Sequence, residues 1–136
     1  MSVLGVGIDL VSIPAFREQL AQAGTTFGDR FTTRERRDSG AGAGDDALHL
    51  AARWAAKEAV IKAWSVSRYG RKPLLPVIRH SDIEVVTDNW GRPAIRLGGE
   101  IADLLRDTVV HVSLTHDGDT AAAVAILEDA PAQSVP

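Results

Sequence analysis

The stretch from residue 47 to residue 65 contains no Gly or Pro and is rich in Ala, the strongest helix former. We therefore expect one long helix there. Trp54, Ile61 and the alanines cover its apolar surfaces, whereas Glu58 and Lys62 lie four residues apart and share a face. Because alanine allows another backbone or a ligand to approach closely, the pattern predicts a helix that is embedded in the fold and still presents a few charges.

Two interpretations of Glu58 and Lys62 follow from their spacing. An i,i+4 Glu-to-Lys pair is a common surface feature that stabilises a helix by about 0.3–0.5 kcal/mol, and spacing alone favours this simple pair. In a largely buried helix, however, a carboxylate and an ammonium are costly unless they pair or hold something charged. The second interpretation is therefore a site for a charged ligand.

The first strand is predicted at residues 3–13, which are dense in β-branched side chains. Alternation places Gly5, Gly7 and Asp9 on one face of this strand. Glycine within a strand often marks the close approach of a ligand or another backbone. Asp9 is therefore expected to lie on the face that such a ligand or backbone approaches. The alternative is that Asp9 only caps the turn that follows.

Composition limits the class of protein. The chain has 136 residues, enough for one domain with a real core; we assign residues 1–129 to that domain and 130–136 to a frayed tail. The net charge of −3 argues against general nucleic-acid binding, and the absence of Cys excludes disulfides and thiolate chemistry. The start lacks a signal-peptide pattern and no apolar run approaches ~20 residues, which predicts a cytoplasmic protein without a membrane span.

The remaining elements indicate an α+β fold. Thr32 and Glu35 have the spacing of a capping box, and Gly91 marks a hairpin turn. We expect short helices at 14–23, from the capping box to 38, and at 100–107. Strands are expected at 82–88, 93–97, 109–114 and 121–127. A glycine-rich connector at 39–46 precedes the long helix, and a turn at 115–120 joins the last two strands. This order predicts an antiparallel sheet packed against the long helix.

Asp9 and Glu58 could together hold one hard divalent cation. Mg²⁺ takes one or two protein carboxylates and completes its shell with water and phosphate oxygens. Lys62, one turn from Glu58, would then neutralise phosphate, and Arg53 and His116 could add contacts. Sequence separation alone does not bring the two carboxylates together.

Ser113 and His116 lie where a predicted strand enters a turn. A nucleophilic role for Ser113 has no support, because no Gly-x-Ser-x-Gly elbow surrounds it. His116, which is followed by Asp117, either contributes to a site or only caps that turn.

Three segments together resemble a known family. Residues 6–9 contain Gly-x-Asp in the first strand, residues 53–63 contain Trp-Ala-Ala-Lys-Glu-Ala-Val-Ile-Lys, and residues 112–116 read Val-Ser-Leu-Thr-His. This combination resembles the holo-[acyl-carrier-protein] synthases, the small single-domain class of 4′-phosphopantetheinyl transferases, and in particular their actinobacterial members. Gly91-Arg92-Pro93 also falls where that family has it, and the likeness covers nearly the whole chain.

The resemblance implies a transfer of the 4′-phosphopantetheine arm of coenzyme A to a serine of apo acyl carrier protein, with release of adenosine 3′,5′-bisphosphate. It implies that Asp9 and Glu58 bind Mg²⁺, that Lys62 lies by the phosphates, and that Glu58 accepts the serine proton.

The resemblance also assigns residues to the nucleotide and to the partners. Those expected near the nucleotide are Arg53, Ser113, Thr115 and His116, the last by the 3′-phosphate. Gly91, Arg92 and Pro93 are expected to flank the adenine across a subunit boundary, because the family is a homotrimer with sites between subunits. The acidic carrier protein is expected to dock on arginines of the early helices, although this chain has Pro14-Ala15 where many relatives have Lys-Arg.

Two other interpretations remain open from the sequence. One is a non-catalytic module that binds coenzyme A or a nucleotide and has kept the fold without turnover. The other is a trimeric scaffold in which Glu58 and Lys62 form only a helix salt bridge.

Overall fold

The computed structural model describes residues 2–40 and 46–130. Most of the predicted connector at 39–46 and of the predicted tail at 130–136 therefore lies outside the described residues. The helices are α1 (Ile13–Ala21), α2 (Thr33–Gly40), α3 (Asp46–Ser67) and α4 (Gly99–Leu104); the strands are β1 (Val3–Ser12), β2 (Ile83–Thr87), β3 (Pro93–Leu97), β4 (Thr108–Asp117) and β5 (Thr120–Asp129). Short 3₁₀ turns occur at Phe27–Arg30 and His80–Asp82.

The strands form two antiparallel sheets. β5 lies between β1 and β4 in a three-stranded sheet, and β2 pairs with β3 in a separate hairpin. The long helix α3 packs on one face of the three-stranded sheet. The predicted α+β fold with an antiparallel sheet against the long helix is confirmed.

The glycines of β1 allow the strand to lie directly on the backbone of α3. A Cβ atom on Gly7 would lie 2.6 Å from the backbone nitrogen of Ala63 and closer still to the carbonyl oxygen of Ala59. Both alanines are fully buried. The close approach that the glycines predicted is therefore made by a helix backbone, and it brings the strand that carries Asp9 against the helix that carries Glu58.

The entry to α2 has the predicted capping box. Glu35 Oε1 accepts a hydrogen bond from the backbone N–H of Thr32 at 2.9 Å, and the Glu35 N–H donates to Thr32 Oγ1 at 3.1 Å. Beside it, Phe16, Phe27 and Trp54 pack edge to face in the core between α1 and α3. The aromatic contacts hold α1 and the 3₁₀ turn at Phe27–Arg30 against the first half of α3.

The predicted turn at 115–120 is wrong. β4 continues to Asp117 and β5 begins at Thr120, with Asp117 and Thr120 paired across a two-residue turn. Gly118 has φ 56°, a left-handed conformation that glycine adopts without a steric penalty and that a tight hairpin needs. The segment from Ser113 to His116 is consequently part of a strand, and its side chains alternate between the two faces of the sheet.

The face of the three-stranded sheet opposite α3 is apolar and open. On β1, Val6, Ile8 and Leu10 are 52%, 64% and 70% exposed. Their partners on the central strand include Val124 and Ile126, so the apolar surface extends onto β5, whereas the outer-facing side chains of β4 include His111, Ser113 and Thr115. We call this surface the outer face. No helix within the described part of the chain is long and apolar enough to cross a membrane.

Candidate active site

Asp9 and Glu58 line the same surface cavity, of about 330 Å³. Asp9 lies near the end of β1 on the side that faces α3, and Glu58 lies in the middle of α3. Trp54, one turn before Glu58, and residues of β1 and α1 complete the walls: Leu10, Val11, Ser12, Ala15, Phe16 and Gln19. The fold thus brings together two carboxylates that are far apart in sequence.

Lys62 forms its ion pair with Asp9. Its Nζ donates to Asp9 Oδ1 at 2.9 Å and to the carbonyl oxygen of Ile8 at 3.1 Å. The hydrogen bond and charge of Asp9 raise the pKa of Lys62 above its usual value, so the side chain stays cationic. The simple Glu58–Lys62 helix pair that spacing favoured is not the contact that forms.

Glu58 instead bonds to His80, which the sequence did not single out. His80 Nε2 lies 2.7 Å from Glu58 Oε1. This hydrogen bond is the main reason that the pKa of Glu58 lies below its usual value. Partial burial opposes the shift, and the charges of His80 and Lys62 each lower the pKa by a smaller amount. The carboxylate is therefore held in its ionised form, the state that binds a cation.

The donor set fits a hard divalent cation. Asp9 and Glu58 supply carboxylate oxygens, the ligands that Mg²⁺ prefers, and their side chains are only 15% and 28% exposed. The Lys62 and His80 bonds use one oxygen of each carboxylate, and the other oxygen lies outside those contacts. Within residues 2–40 and 46–130 no three His, Asp or Glu side chains form a metal cluster, so water or ligand oxygens would complete the shell.

A second group of charges lies on a different face of α3 and is buried. Lys57 and Glu35 are both fully buried and pair at 2.8 Å. Lys57 Nζ also donates to the carbonyl oxygens of His80 at 2.9 Å and Ile83 at 2.7 Å, and Glu35 Oε2 accepts from the N–H of Val85 at 2.9 Å. Desolvation lowers the pKa of Lys57, although Glu35 opposes the shift. These two side chains tie α2, α3 and β2 together.

Arg53 belongs to this buried group. It lies one turn before Lys57, is 9% exposed, and donates from Nη1 to the carbonyl oxygen of His49 at 3.2 Å. Burial lowers its pKa, and the charges of Glu35 and Asp38 oppose that shift. Arg53 does not line the Asp9–Glu58 cavity, and its contact with a nucleotide stays a prediction.

The predicted nucleotide residues of β4 lie on two faces of the sheet. Ser113 and Thr115 face the same side as Val124 and Ala122 of β5, that is, the outer face. His116 pairs with the buried Ala121 and so faces the α3 side, but on the edge strand. Within one chain, Ser113 and Thr115 are therefore separated from the Asp9–Glu58 cavity by the sheet itself.

Gly91, Arg92 and Pro93 lie in the β2–β3 hairpin, away from the cavity. Gly91 has φ 78°, and the Asp88 carboxylate accepts hydrogen bonds from the N–H groups of Trp90 and Arg92 at 2.9 Å and from Arg92 Nε at 2.6 Å. These bonds, the Arg92 N–H first, lower the pKa of Asp88. The turn is thus rigidly built, and its predicted role at the adenine would require a neighbouring subunit.

Comparison with known proteins identifies the family. The model of the 4′-phosphopantetheinyl transferase superfamily matches residues 5–126. The chain belongs to this superfamily. The holo-[acyl-carrier-protein] synthase of Mycobacterium tuberculosis (strain ATCC 25618 / H37Rv) is 65% identical over 128 residues, which are 94% of this chain and 98% of that protein.

Solved structures of the transferase superfamily have the same fold. The acyl carrier protein synthase of Mycobacterium tuberculosis matches with a TM-score of 0.79 at 60% identity, covering 94% of this chain and 99% of the other. A complex of the Chronobacterium ammoniagenes ACPS protein with CoA matches with a TM-score of 0.87 at 43% identity, covering 96% and 100%. These similarities confirm the predicted family and fold, and the roles of single residues remain predictions.

Proposed function

We propose that the chain transfers the 4′-phosphopantetheine arm of coenzyme A to a serine of apo acyl carrier protein, with Mg²⁺ held by Asp9 and Glu58. The observation that carries this proposal is the meeting of the two carboxylates at one cavity, with Lys62 bonded to Asp9. The activity named for the Mycobacterium tuberculosis relative, and the CoA complex of the Chronobacterium ammoniagenes protein, support the acceptor and the donor.

The bound cation would supply charge neutralisation at the pyrophosphate of coenzyme A, as divalent cations do in phosphoryl transfer. Glu58 accepts the proton of the serine hydroxyl. The serine oxygen then forms a bond to the phosphorus of the arm, and the bond between that phosphorus and the bridging oxygen breaks to release adenosine 3′,5′-bisphosphate. Lys62, whose side chain is 53% exposed beside Asp9, would neutralise the departing charge.

A homotrimer with its sites between subunits would complete this active site. On β1 and the middle of β5 the outer face is apolar, and an exposed apolar surface of this kind often marks a protein interface. Ser113 and Thr115 lie on that face, so packing between copies there would place them at the subunit boundary. The rigid turn at Gly91–Pro93 would reach a neighbouring site from the hairpin.

A charge on the outer face tests the assembly. Ile8→Glu, at a position 64% exposed in the single chain, should convert trimers to monomers in sedimentation equilibrium. Tyr69→Glu, in a loop and 94% exposed, is the matched control and should leave the assembly unchanged. Trimers of unchanged stability in Ile8→Glu would show that copies do not meet on this face.

The carrier protein would dock on the basic side chains of the early segments, because acyl carrier proteins are acidic. The candidates lie on α1, on the 3₁₀ turn that follows it and on α2: Arg17, Arg30, Arg34, Arg36 and Arg37. Arg36 pairs with Asp29 at 3.4 Å and Arg34 lies 3.8 Å from Asp38, so docking would exchange some internal contacts for contacts with the partner.

Intact-mass analysis tests the reaction directly. An apo acyl carrier protein incubated with the protein, coenzyme A and Mg²⁺ should gain one phosphopantetheine arm, and EDTA should abolish the gain. Asp9→Asn should abolish transfer, whereas Asp103→Asn, an exposed carboxylate on α4, should not affect it. Coenzyme A binding without transfer to several carrier proteins would indicate the non-catalytic module instead.

A further inference from the structure

The carboxylate proposed to bind the metal and to accept the serine proton is itself held by a histidine from outside the recognised motifs. His80 Nε2 lies 2.7 Å from Glu58 Oε1, and both side chains are largely shielded, at 20% and 28% exposed. A carboxylate only accepts hydrogen bonds, so Nε2 carries the proton in this contact. One oxygen of Glu58 is thereby fixed and the other remains for a ligand.

The imidazole ring is held by packing against Trp54. The ring centroids are 4.5 Å apart with an interplanar angle of 32°. Trp54 lies one turn before Glu58 on the same face of α3, and it also lines the cavity. The tryptophan therefore sets the position of the ring that bonds to Glu58.

The backbone of His80 is held by a second, buried contact. Lys57 Nζ, fully buried, donates to the His80 carbonyl oxygen at 2.9 Å and pairs with Glu35 at 2.8 Å. Lys57 and Glu58 are adjacent on α3, so both ends of His80 are attached to the same helical turn. Movement of the His80 backbone away from α3 would break this buried contact, while the ring itself is held by Trp54 and Glu58.

We propose that His80 is a positioning residue that orients the Glu58 carboxylate for the cation and for the serine proton. The inference rests on the proposed function and extends it to a residue that touches neither substrate. Partners that orient the ligands of a metal typically change metal affinity about 10–100-fold when they are removed.

Two substitutions separate orientation from packing. His80→Phe keeps an aromatic ring against Trp54 but removes the donor, and His80→Gln places an amide N–H near the position of Nε2. The first readout is Mn²⁺ binding, followed by the electron paramagnetic resonance signal of free Mn²⁺ without coenzyme A or carrier protein. We expect about 10-fold weaker binding in His80→Phe and near-wild-type binding in His80→Gln.

The second readout is the Mg²⁺ concentration for half-maximal transfer, which should rise in His80→Phe and recover in His80→Gln. Wild-type Mn²⁺ affinity in His80→Phe would overturn the proposal. Equal losses of Mn²⁺ affinity in both variants, together with lowered melting temperatures, would also overturn it, because His80 would then serve only the fold. Failure of the wild-type protein to transfer the arm would instead refute the proposed function, and the role of His80 with it.

Discussion

Replacement of Gly7 by Ala should destabilise the protein strongly, because β1 lies on the backbone of α3. The new Cβ would be 2.6 Å from the Ala63 nitrogen, whereas ordinary contact begins at 3.4 Å. Strand and helix would have to separate by about 0.8 Å to clear this nitrogen, and by more to clear the Ala59 carbonyl oxygen, which lies closer still. Overpacking of this kind costs about 1–3 kcal/mol, and contact with backbone places Gly7→Ala at the upper end.

The alanine also restricts the unfolded chain, which offsets about 0.4–1 kcal/mol of that cost. The net loss in the free energy of unfolding should therefore be about 2–2.6 kcal/mol. For 136 residues, an unfolding entropy of about 2.1 cal/mol/K per residue gives about 0.29 kcal/mol/K. The melting temperature should consequently fall by about 7–9 °C.

Urea and thermal unfolding, followed by circular dichroism, measure this loss. Gly28→Ala is the matched control, since its Cβ would meet only the end of the flexible Arg36 side chain at 3.4 Å. We expect its stability to stay within about 0.5 kcal/mol of the wild type. If Gly7→Ala were as stable as Gly28→Ala, the close packing of β1 on α3 would be refuted.

Three further predictions concern the charges of α3. Lys57→Met leaves the buried Glu35 without its cation and should lower the free energy of unfolding in urea by about 3–5 kcal/mol. The double variant Lys57→Met/Glu35→Gln should recover part of this loss. Equal stability of Lys57→Met and the wild type would refute the buried pair. The His80 hydrogen bond lowers the folded-state pKa of Glu58, so Glu58 stabilises the fold above its unfolded pKa of about 4.3, and this contribution is lost as the pH falls through the lower folded value. Glu58→Gln should therefore show a shallower fall in melting temperature on acidification, and an unchanged pH profile would contradict the assignment. Lys62→Ala should lower kcat/KM by an amount equivalent to about 2–4 kcal/mol in the intact-mass assay, and unchanged turnover would remove Lys62 from the phosphates.

The sequence by itself determined the local elements and the family. Alanine content and the lack of Gly and Pro specify α3, the Thr32–Glu35 spacing specifies the start of α2, and alternation places Asp9 on the glycine face of β1. These features depend on neighbours a few residues apart, which a single sequence displays. The Gly-x-Asp of the first strand, the motif around Glu58 and Lys62, and residues 112–116 together indicated the family.

Only the tertiary structure decided which charges meet. Lys62 pairs with Asp9 rather than with its helical neighbour Glu58, and Glu58 pairs with His80 from an irregular segment that has no periodic signal. In the same way, Glu35 is half of a capping box in the sequence, but its pairing with Lys57 spans two helices. Such partners are chosen by the packing of elements far apart in the chain, and desolvation makes each pairing costly to leave unmade.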